Sequence, residues 1–478
     1  MTEISDFGLI VLLVSAGVFL AVLGMRLADR ISVPNAAIFL VAAGILATTV
    51  DALGDALSIE VVERIGVIAL IVILFDGGLH IGLARFRRSA APILALGVLG
   101  TFATAGGLVT LAAHYLLDFS WIASGLIGAA IAPTDPAVTF SVLGGREIRG
   151  RAGTILEGEA GTNDPVGIAL MIGMIELATE DGGSFSIVVE EFVVEMLVGL
   201  AVGVAGALLL LPAMRRIHLT SPALYPIRVL AGAGVIYGIA SVVHGSGFLA
   251  VFVAGVLLGD VAAPRKGEIE SFHSSLAALA EIAVFAALGL SIGYADLDDP
   301  DVWVKGLALA VVLAFVVRPI ALAPLLVPAR LHWGERVFII WGGLKGAVPI
   351  LLGSLAVLAA VDDAGEIYGI IFVVVLFSVL VQGITVPLAA ERLRVSFRRV
   401  DHDLAEVLEF VVRDDAFANR RRIGELPLGE RAWVGILIRR GRPETFGHDT
   451  VLEPGDRVHV YCQPEDAAAL ERIFAGTS

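Results

Sequence analysis

The sequence predicts an all-α polytopic membrane protein of thirteen transmembrane helices, built as six-helix inverted repeats with broken crossing helices, plus a small cytoplasmic α+β domain. Three observations predict it. Of 478 residues, 57% are hydrophobic and only 17% charged, against about 25% charged in soluble domains. Apolar windows of spanning length, about 17–25 residues, recur up to residue 390. Two of these windows are interrupted by proline and glycine at matching places, and the composition turns soluble after about residue 400. The division expected is a transmembrane domain over 1–395 and a tail domain over 396–478.

The windows fall near 8–25, 33–50, 62–82, 91–116, 121–143, 153–178, 191–213, 225–243, 246–262, 272–294, 303–328, 336–360 and 366–390. The chain starts M-T-E-I-S-D, acidic where a signal peptide is basic, so the first window is expected to be a permanent span. A tight turn at His244-Gly245-Ser246-Gly247 must separate two neighbouring spans. Basic residues check this count. Alternate loops carry fifteen Lys and Arg, among them Arg85, Arg87, Arg88, Arg215 and Arg216, while the opposite loops hold only Arg64 and Lys305 among many aspartates. That positive-inside asymmetry places the N-terminus outside and the C-terminus in the cytoplasm.

Composition also excludes function classes. A net charge of −15 speaks against nucleic-acid binding. The single cysteine, Cys462, cannot form an intramolecular disulfide, and none of the nine histidines has metal-site spacing. No nucleophile constellation suggests an enzyme, and no cofactor is expected.

The fifth span of each half is interrupted. In the first half the break is A-P-T-D-P-A-V, residues 132–138, with Asp135 between Pro133 and Pro136; in the second it is W-G-G-L-K-G-A-V-P, residues 341–349, around Lys345. Proline removes a backbone donor and glycine loosens the turn, so both helices are expected to unwind near the midplane. Breaks at corresponding places in two halves point to a transporter binding site.

One segment later, L-E-G-E-A-G-T-N-D-P-V-G places Glu159 and Asp164 inside an apolar stretch. An ionised Asp at the bilayer centre costs at least ~2.5–3.5 kcal/mol, so such acids are expected to work. A cation leaving water needs oxygens in place of its hydration shell. Asp164, Asp135, the Thr134 carbonyl or hydroxyl and carbonyls freed at the breaks can supply them. Asp164 can hold a proton while the cation is absent and release it when the cation binds, which couples two fluxes. Arg318, midway along the eleventh span, is expected to pair with Glu159 as a structural clamp, since breaking a buried pair is destabilising. Lys345 is expected to stabilise the broken helix or its facing half-helix ends. Asp76, Glu195, Glu281, His80, His114 and His244 read as capping or solvated groups toward span ends.

The tail reads as strands over 431–441 and 456–462, a Leu452-Glu453-Pro454-Gly455-Asp456 turn between them, and a short amphipathic helix after P-E-D. No G-x-G-x-x-G nucleotide fold precedes it.

T-D-P at 134–136, E-x-x-x-N-D at 159–164, the V-V-R-P arginine and G-G-L-K-G-A-V at 342–348, in this order over residues 8–390, resemble the family of NhaP-type bacterial antiporters and animal sodium/proton exchangers. The resemblance implies a homodimer in membrane lipid whose protomers have a dimerisation domain and a six-helix core moving elevator-fashion. It implies that Asp164 carries ion and proton, that Asn163 stands where electrogenic relatives have a first aspartate, and hence electroneutral exchange. It also implies the Glu159–Arg318 pair. One position departs from the pattern: Ala160 stands where a serine often follows the glutamate. Losing that oxygen weakens the case for sodium and makes potassium at least as plausible. The tail resembles the TrkA-C (RCK-C) domain, whose occurrence in the family favours potassium/proton exchange. That resemblance implies dimerisation, leaving open either regulation by a small ligand such as cyclic di-AMP or a passive module. The other function class is a ligand-gated cation channel, against which stands the lack of a T-V-G-Y-G-like filter.

Overall fold

The computed structural model describes residues 34–49, 57–143, 146–148, 150–179, 185–395, 397–399, 406–428, 432–462 and 466–475, with residues 17 and 19. The first expected span, 8–25, lies almost wholly outside the described residues. The chain divides into two compact units, Met1–Arg398 and Arg399–Ser478.

The larger unit is helical. Its helices are α1 (Asn35–Thr49), α2 (Ile59–Leu94), α3 (Thr110–Leu117), α4 (Trp121–Ile131), α5 (Pro136–Ser141), α6 (Arg151–Thr179), α7 (Phe185–Arg216), α8 (Leu224–Val242) and α9 (Gly247–Gly259). There follow α10 (Lys266–Leu290), α11 (Pro300–Val312), α12 (Arg318–Leu326), α13 (Trp333–Gly342), α14 (Ala347–Leu358), α15 (Ala364–Phe377) and α16 (Gly383–Arg392). Seven helical runs among the described residues are long and apolar enough to cross a membrane, and Asn35–Thr49, Trp121–Ile131 and Gly247–Gly259 are shorter apolar helices. The windows near 62–82 and 91–116 join into one run over Ile59–Leu117. Gly82 interrupts it with a φ of 64°, a left-handed conformation that glycine adopts without a Cβ clash. The expected turn at 244–247 is present: His244 adopts a φ of 57°, and Ser246 caps α9 by accepting the Leu249 N–H at 3.2 Å.

Helix α6 is the centre of this unit. It is buried on all sides from Gly158 to Met171 and packs against α2, α4 and α7. A helix buried around its whole circumference has no solvent face to offer, so its four polar interior residues, Glu159, Thr162, Asn163 and Asp164, must find partners within the protein or a cavity. Helices α2 and α9 pack closely because small residues line their contact. A Cβ on Gly255 would come within 2.5 Å of the Phe75 carbonyl oxygen. Such small-residue seams replace the hydrophobic drive that lipid removes.

The smaller unit is a four-stranded antiparallel sheet of β1 (Glu406–Val411), β2 (Trp433–Arg439), β3 (Arg442–Glu444) and β4 (Arg457–Cys462), in the order β1-β4-β2-β3. A helix, α17 (Ala467–Phe474), closes it. Alternate residues of β4, Val458, Val460 and Cys462, point into a core with Leu437, Leu470 and Phe474, as a half-buried strand requires. The L-E-P-G-D turn puts Gly455 at a φ of 87°. Its Asp456 carboxylate accepts two hydrogen bonds from the Arg439 guanidinium, at 2.9 and 2.6 Å, and one from the Glu453 N–H at 2.8 Å.

Candidate functional site

Two helix breaks build the site. Between α4 and α5, residues 132–135 leave the helix; between α13 and α14, residues 343–346 do the same. The two non-helical stretches brace each other. The Asp135 N–H donates to the Leu344 carbonyl at 2.8 Å. The Lys345 ammonium donates to the carbonyls of Ala132 at 2.7 Å and Pro133 at 3.0 Å. The Thr139 hydroxyl donates to the Gly342 carbonyl at 2.5 Å. Backbone freed by unwinding inside apolar surroundings must find such partners, because each orphan group costs several kcal/mol there.

The glycines act differently from the expectation. Gly343 and Gly346 both have negative φ, −78° and −113°, so their conformational freedom is not what the turn uses. They make room: a Cβ on Gly343 would meet the Arg318 guanidinium, and one on Gly346 would meet the Asp135 carboxylate.

Helix α6 presents Asn163 and Asp164 to these breaks. The Asn163 side-chain amide donates to the Thr134 hydroxyl at 2.8 Å, and its carbonyl oxygen accepts the Thr134 N–H at 3.4 Å. Asn163 thus fixes the first break in place. Asp164 is 5% exposed, and its Oδ1 is buried with no hydrogen-bond partner among the described residues. Asp135, half-buried, and Lys345 lie near enough for their charges to act on it. Both aspartates line a cavity of about 370 Å³ that also touches Ala160, Asp76, His80 and Glu281.

Glu159 faces away from Asp164, as a five-residue offset on a helix dictates. Its Oε1 accepts from Arg318 Nη2 at 2.9 Å, and both side chains are nearly sealed, at 2% and 4% exposed. Arg318 also donates to the carbonyls of Ile340 at 2.7 Å and Ile339 at 3.3 Å, in the last turn of α13. A cation at a helix C-terminus satisfies carbonyls that have no successor to bond.

Four of the expected site residues, Thr134, Asp135, Asn163 and Asp164, therefore share one neighbourhood, with Lys345 behind them and Glu159–Arg318 on another face of α6. Several polar groups were missed. A π-helical turn over Ser378–Gln382 presents Ser378, whose hydroxyl accepts the Lys345 N–H at 2.9 Å and donates to Gln382 at 2.8 Å. A second π turn, Leu313–Val317, immediately precedes Arg318; such turns re-aim side chains at functional places. Glu281, read as a bland span residue, lines the cavity, and its Oε1 is buried without a partner among the described residues. An acid inside the alanine-rich run S-L-A-A-L-A-E-I-A-V-F deserved the reading given to Glu159 and Asp164. Asp76 and His80, read as capping or solvated, form an ion pair at 3.3 Å, and the Ser274 hydroxyl donates to Asp76 at 3.3 Å.

Comparisons with known proteins place these features among relatives. A family profile described as "Sodium/hydrogen exchanger, transmembrane" matches residues 3–392, and one for the TrkA-C domain matches 407–475. A protein of Alkalimonas amylolytica named K(+)/H(+) antiporter NhaP is 30% identical over 98% of this chain and 84% of its own length. The K(+)/H(+) antiporter NhaP2 of Shewanella baltica is 34% identical over 99% of this chain and 84% of its own length. The solved structure of the sodium proton antiporter MjNhaP1 from Methanocaldococcus jannaschii at pH 8 superposes with a TM-score of 0.67. It is 21% identical and covers 79% of this chain and 99% of that one, a likeness of fold.

Proposed function

Because the chain belongs to the sodium/hydrogen exchanger family, we propose that it exchanges a monovalent cation for a proton across the plasma membrane, with potassium favoured over sodium. The observation that carries this reading is Asp164, a buried carboxylate with an oxygen that has no hydrogen-bond partner among the described residues, beside two mutually braced helix breaks and at a cavity that Asp135 also lines. A carboxylate so placed binds either a proton or a cation, and each displaces the other. Asp135, Thr134 and Asn163 complete the site: Asp135 and the Thr134 oxygens face the ion, and Asn163 holds Thr134 in place. One carboxylate trading one proton for one monovalent cation makes the cycle electroneutral. Lys345 belongs to the frame, its ammonium bound to the carbonyls of the opposite break. Glu159 and Arg318 clamp α6 to α13.

The cycle is alternating access by an elevator motion in a homodimer of thirteen-span protomers, two inverted six-helix repeats with the N-terminus outside. The mutual bracing of the breaks supports it, since a rigid crossing can be carried as a body. The antiporter domain occupies 1–395 and a regulatory TrkA-C domain 396–478. That domain dimerises and takes a small ligand such as a cyclic dinucleotide. Potassium is favoured by Ala160, which offers no hydroxyl to a small, strongly hydrated ion, and by relatives named for potassium/proton exchange.

Everted membrane vesicles with a pH-sensitive dye test the proposal. Added potassium is expected to release the imposed proton gradient, sodium less so, and Asp164→Asn to abolish both responses. A voltage-dependent cation current without proton movement, or retained exchange in Asp164→Asn, refutes it.

A further inference from the structure

The cavity that reaches Asp164 has two walls of regular geometry. Glu157, Ala160, Gly161 and Asp164 line it from α6, and Ser274, Ala277, Ala278, Glu281, Val284 and Phe285 line it from α10. Both sets follow the three- and four-residue spacing of a single helix face, so each helix turns one face to the cavity. On the α6 wall Ala160 contributes a methyl group and no oxygen. On the α10 wall the polar groups are Ser274 and Glu281. Ser274 is committed: its single hydroxyl proton has two acceptors in reach, the Glu270 carbonyl at 2.9 Å and Asp76 at 3.3 Å. Asp76 is in turn engaged by His80 at 3.3 Å. Glu281 is not: its Oε1 is buried without a hydrogen-bond partner among the described residues, as is Asp164 Oδ1 on the α6 wall, in a residue only 5% exposed. The Asp135 carboxylate lines the same cavity.

Two buried carboxylate oxygens left over in one cavity are costly unless something polar serves both in turn. The geometry points to Glu281 as a cation ligand and specificity-determining residue that supplies, from α10, the oxygen that Ala160 withholds on α6. This inference rests on the exchange reading above. An oxygen brought from the opposite wall spans a wider site than a hydroxyl beside Asp164 does, which suits the larger ion, potassium. Glu281 contributes its oxygen whether or not it carries a proton, because a protonated carboxyl keeps a carbonyl oxygen. The one-for-one exchange at Asp164 is therefore unchanged.

The test is potassium and sodium titration of proton release in vesicles for Glu281→Leu, Glu281→Gln and Ala160→Ser/Glu281→Leu. Glu281→Leu is expected to raise the apparent KM for potassium at least about tenfold, with maximal exchange falling less. Glu281→Gln, which keeps a carbonyl oxygen, is expected to fall between wild type and Glu281→Leu. Restoring a hydroxyl in the double variant is expected to recover cation affinity and to shift the preference toward sodium. Potassium-induced thermal stabilisation of the purified full-length protein gives an activity-independent readout, and Glu281→Leu is expected to lose it. A Glu281→Leu variant within twofold of wild type in KM and in stabilisation overturns the inference. So does a well-folded double variant with no recovery. Absence of exchange in the wild type, by contrast, overturns the antiporter reading itself.

Discussion

The pair Glu159–Arg318 gives the sharpest quantitative prediction. Replacing Arg318 with Leu removes one guanidinium that serves three oxygens: Glu159 Oε1 at 2.9 Å and the carbonyls of Ile340 at 2.7 Å and Ile339 at 3.3 Å. What remains is a carboxylate 2% exposed, with its Oε2 already lacking a partner among the described residues. Removing one member of a buried pair costs about 3–5 kcal/mol, most of it from the stranded charge. Replacing Glu159 with Leu as well takes the stranded charge away. The two carbonyls at the end of α13 stay orphaned, at about 1–3 kcal/mol. The double variant is therefore expected to be more stable than Arg318→Leu alone, with a coupling energy of about 2 kcal/mol or more. Unfolding of the four full-length proteins in mixed detergent micelles, followed by circular dichroism, measures that cycle. A coupling below about 0.5 kcal/mol, the additive limit, refutes the reasoning and makes Arg318 a carbonyl cap that merely passes Glu159.

Other outcomes follow from the same geometry. Lys345→Met leaves the carbonyls of Ala132 and Pro133 without their shared donor. It is expected to cut exchange at least about 100-fold, the equivalent of ~2.7 kcal/mol, and normal exchange in this variant contradicts its framing role. Gly346→Ala puts a methyl against the Asp135 carboxylate, whereas a Cβ at Gly234 has nothing within 4 Å. The first is expected to lose exchange at least about tenfold for an overpacking cost of 1–3 kcal/mol; equal activity of the two variants counts against the crowding argument. In the tail, burial alone would raise the Asp456 carboxyl, but the Arg439 side chain and the Glu453 N–H outweigh it and hold it below the usual carboxylate range. A depressed acid stabilises the fold above its unfolded value, about 3.9, and that contribution is lost as pH falls through the folded one. Amide-exchange protection of the tail in the full-length protein, relative to the intrinsic exchange rate at each pH, is expected to be flat from pH 7 to about 5 and to fall below about 4. Asp456→Asn should remove that acid step, and an unchanged step assigns it to another group.

Much of the fold was legible because lipid imposes a strict rule on sequence. A spanning helix must be largely apolar for its length, so the windows that fall on described residues coincide with helical segments even where the chain bends, as at Gly82. The two breaks were legible for the same reason: proline and glycine beside a charge stand out against leucine, valine and alanine. What hydropathy cannot convey is the direction of a side chain. Glu281 and Asp164 look alike in sequence, and only the packing of α10 against the rest of the unit brings Glu281 to the cavity. Gly343 and Gly346 were rightly noticed for an incomplete reason: the sequence carries no sign that Arg318 and Asp135 occupy the space a Cβ would need. Ser378 was invisible, since its role depends on a π turn that no residue type announces. In the tail, the two strands with alternating apolar residues and the proline–glycine turn were found, whereas β1, E-V-L-E-F-V, was not separated from the polar stretch around it.

The two braced breaks have a consequence for how the protein responds to temperature and to its ions. Lys345 and the Asp135 N–H tie each break to the backbone of the other, so occupancy of the site by a proton or by a cation leaves the same scaffold in place. In the proposed cycle the two occupants then compete at the oxygens of the site, with no refolding of the crossing to favour one over the other. Their balance should track the two concentrations over a wide range, as at a titrating electrode. If the proposed elevator cycle operates, its slow, strongly temperature-dependent step is movement of the scaffold as a whole, alike for both ions.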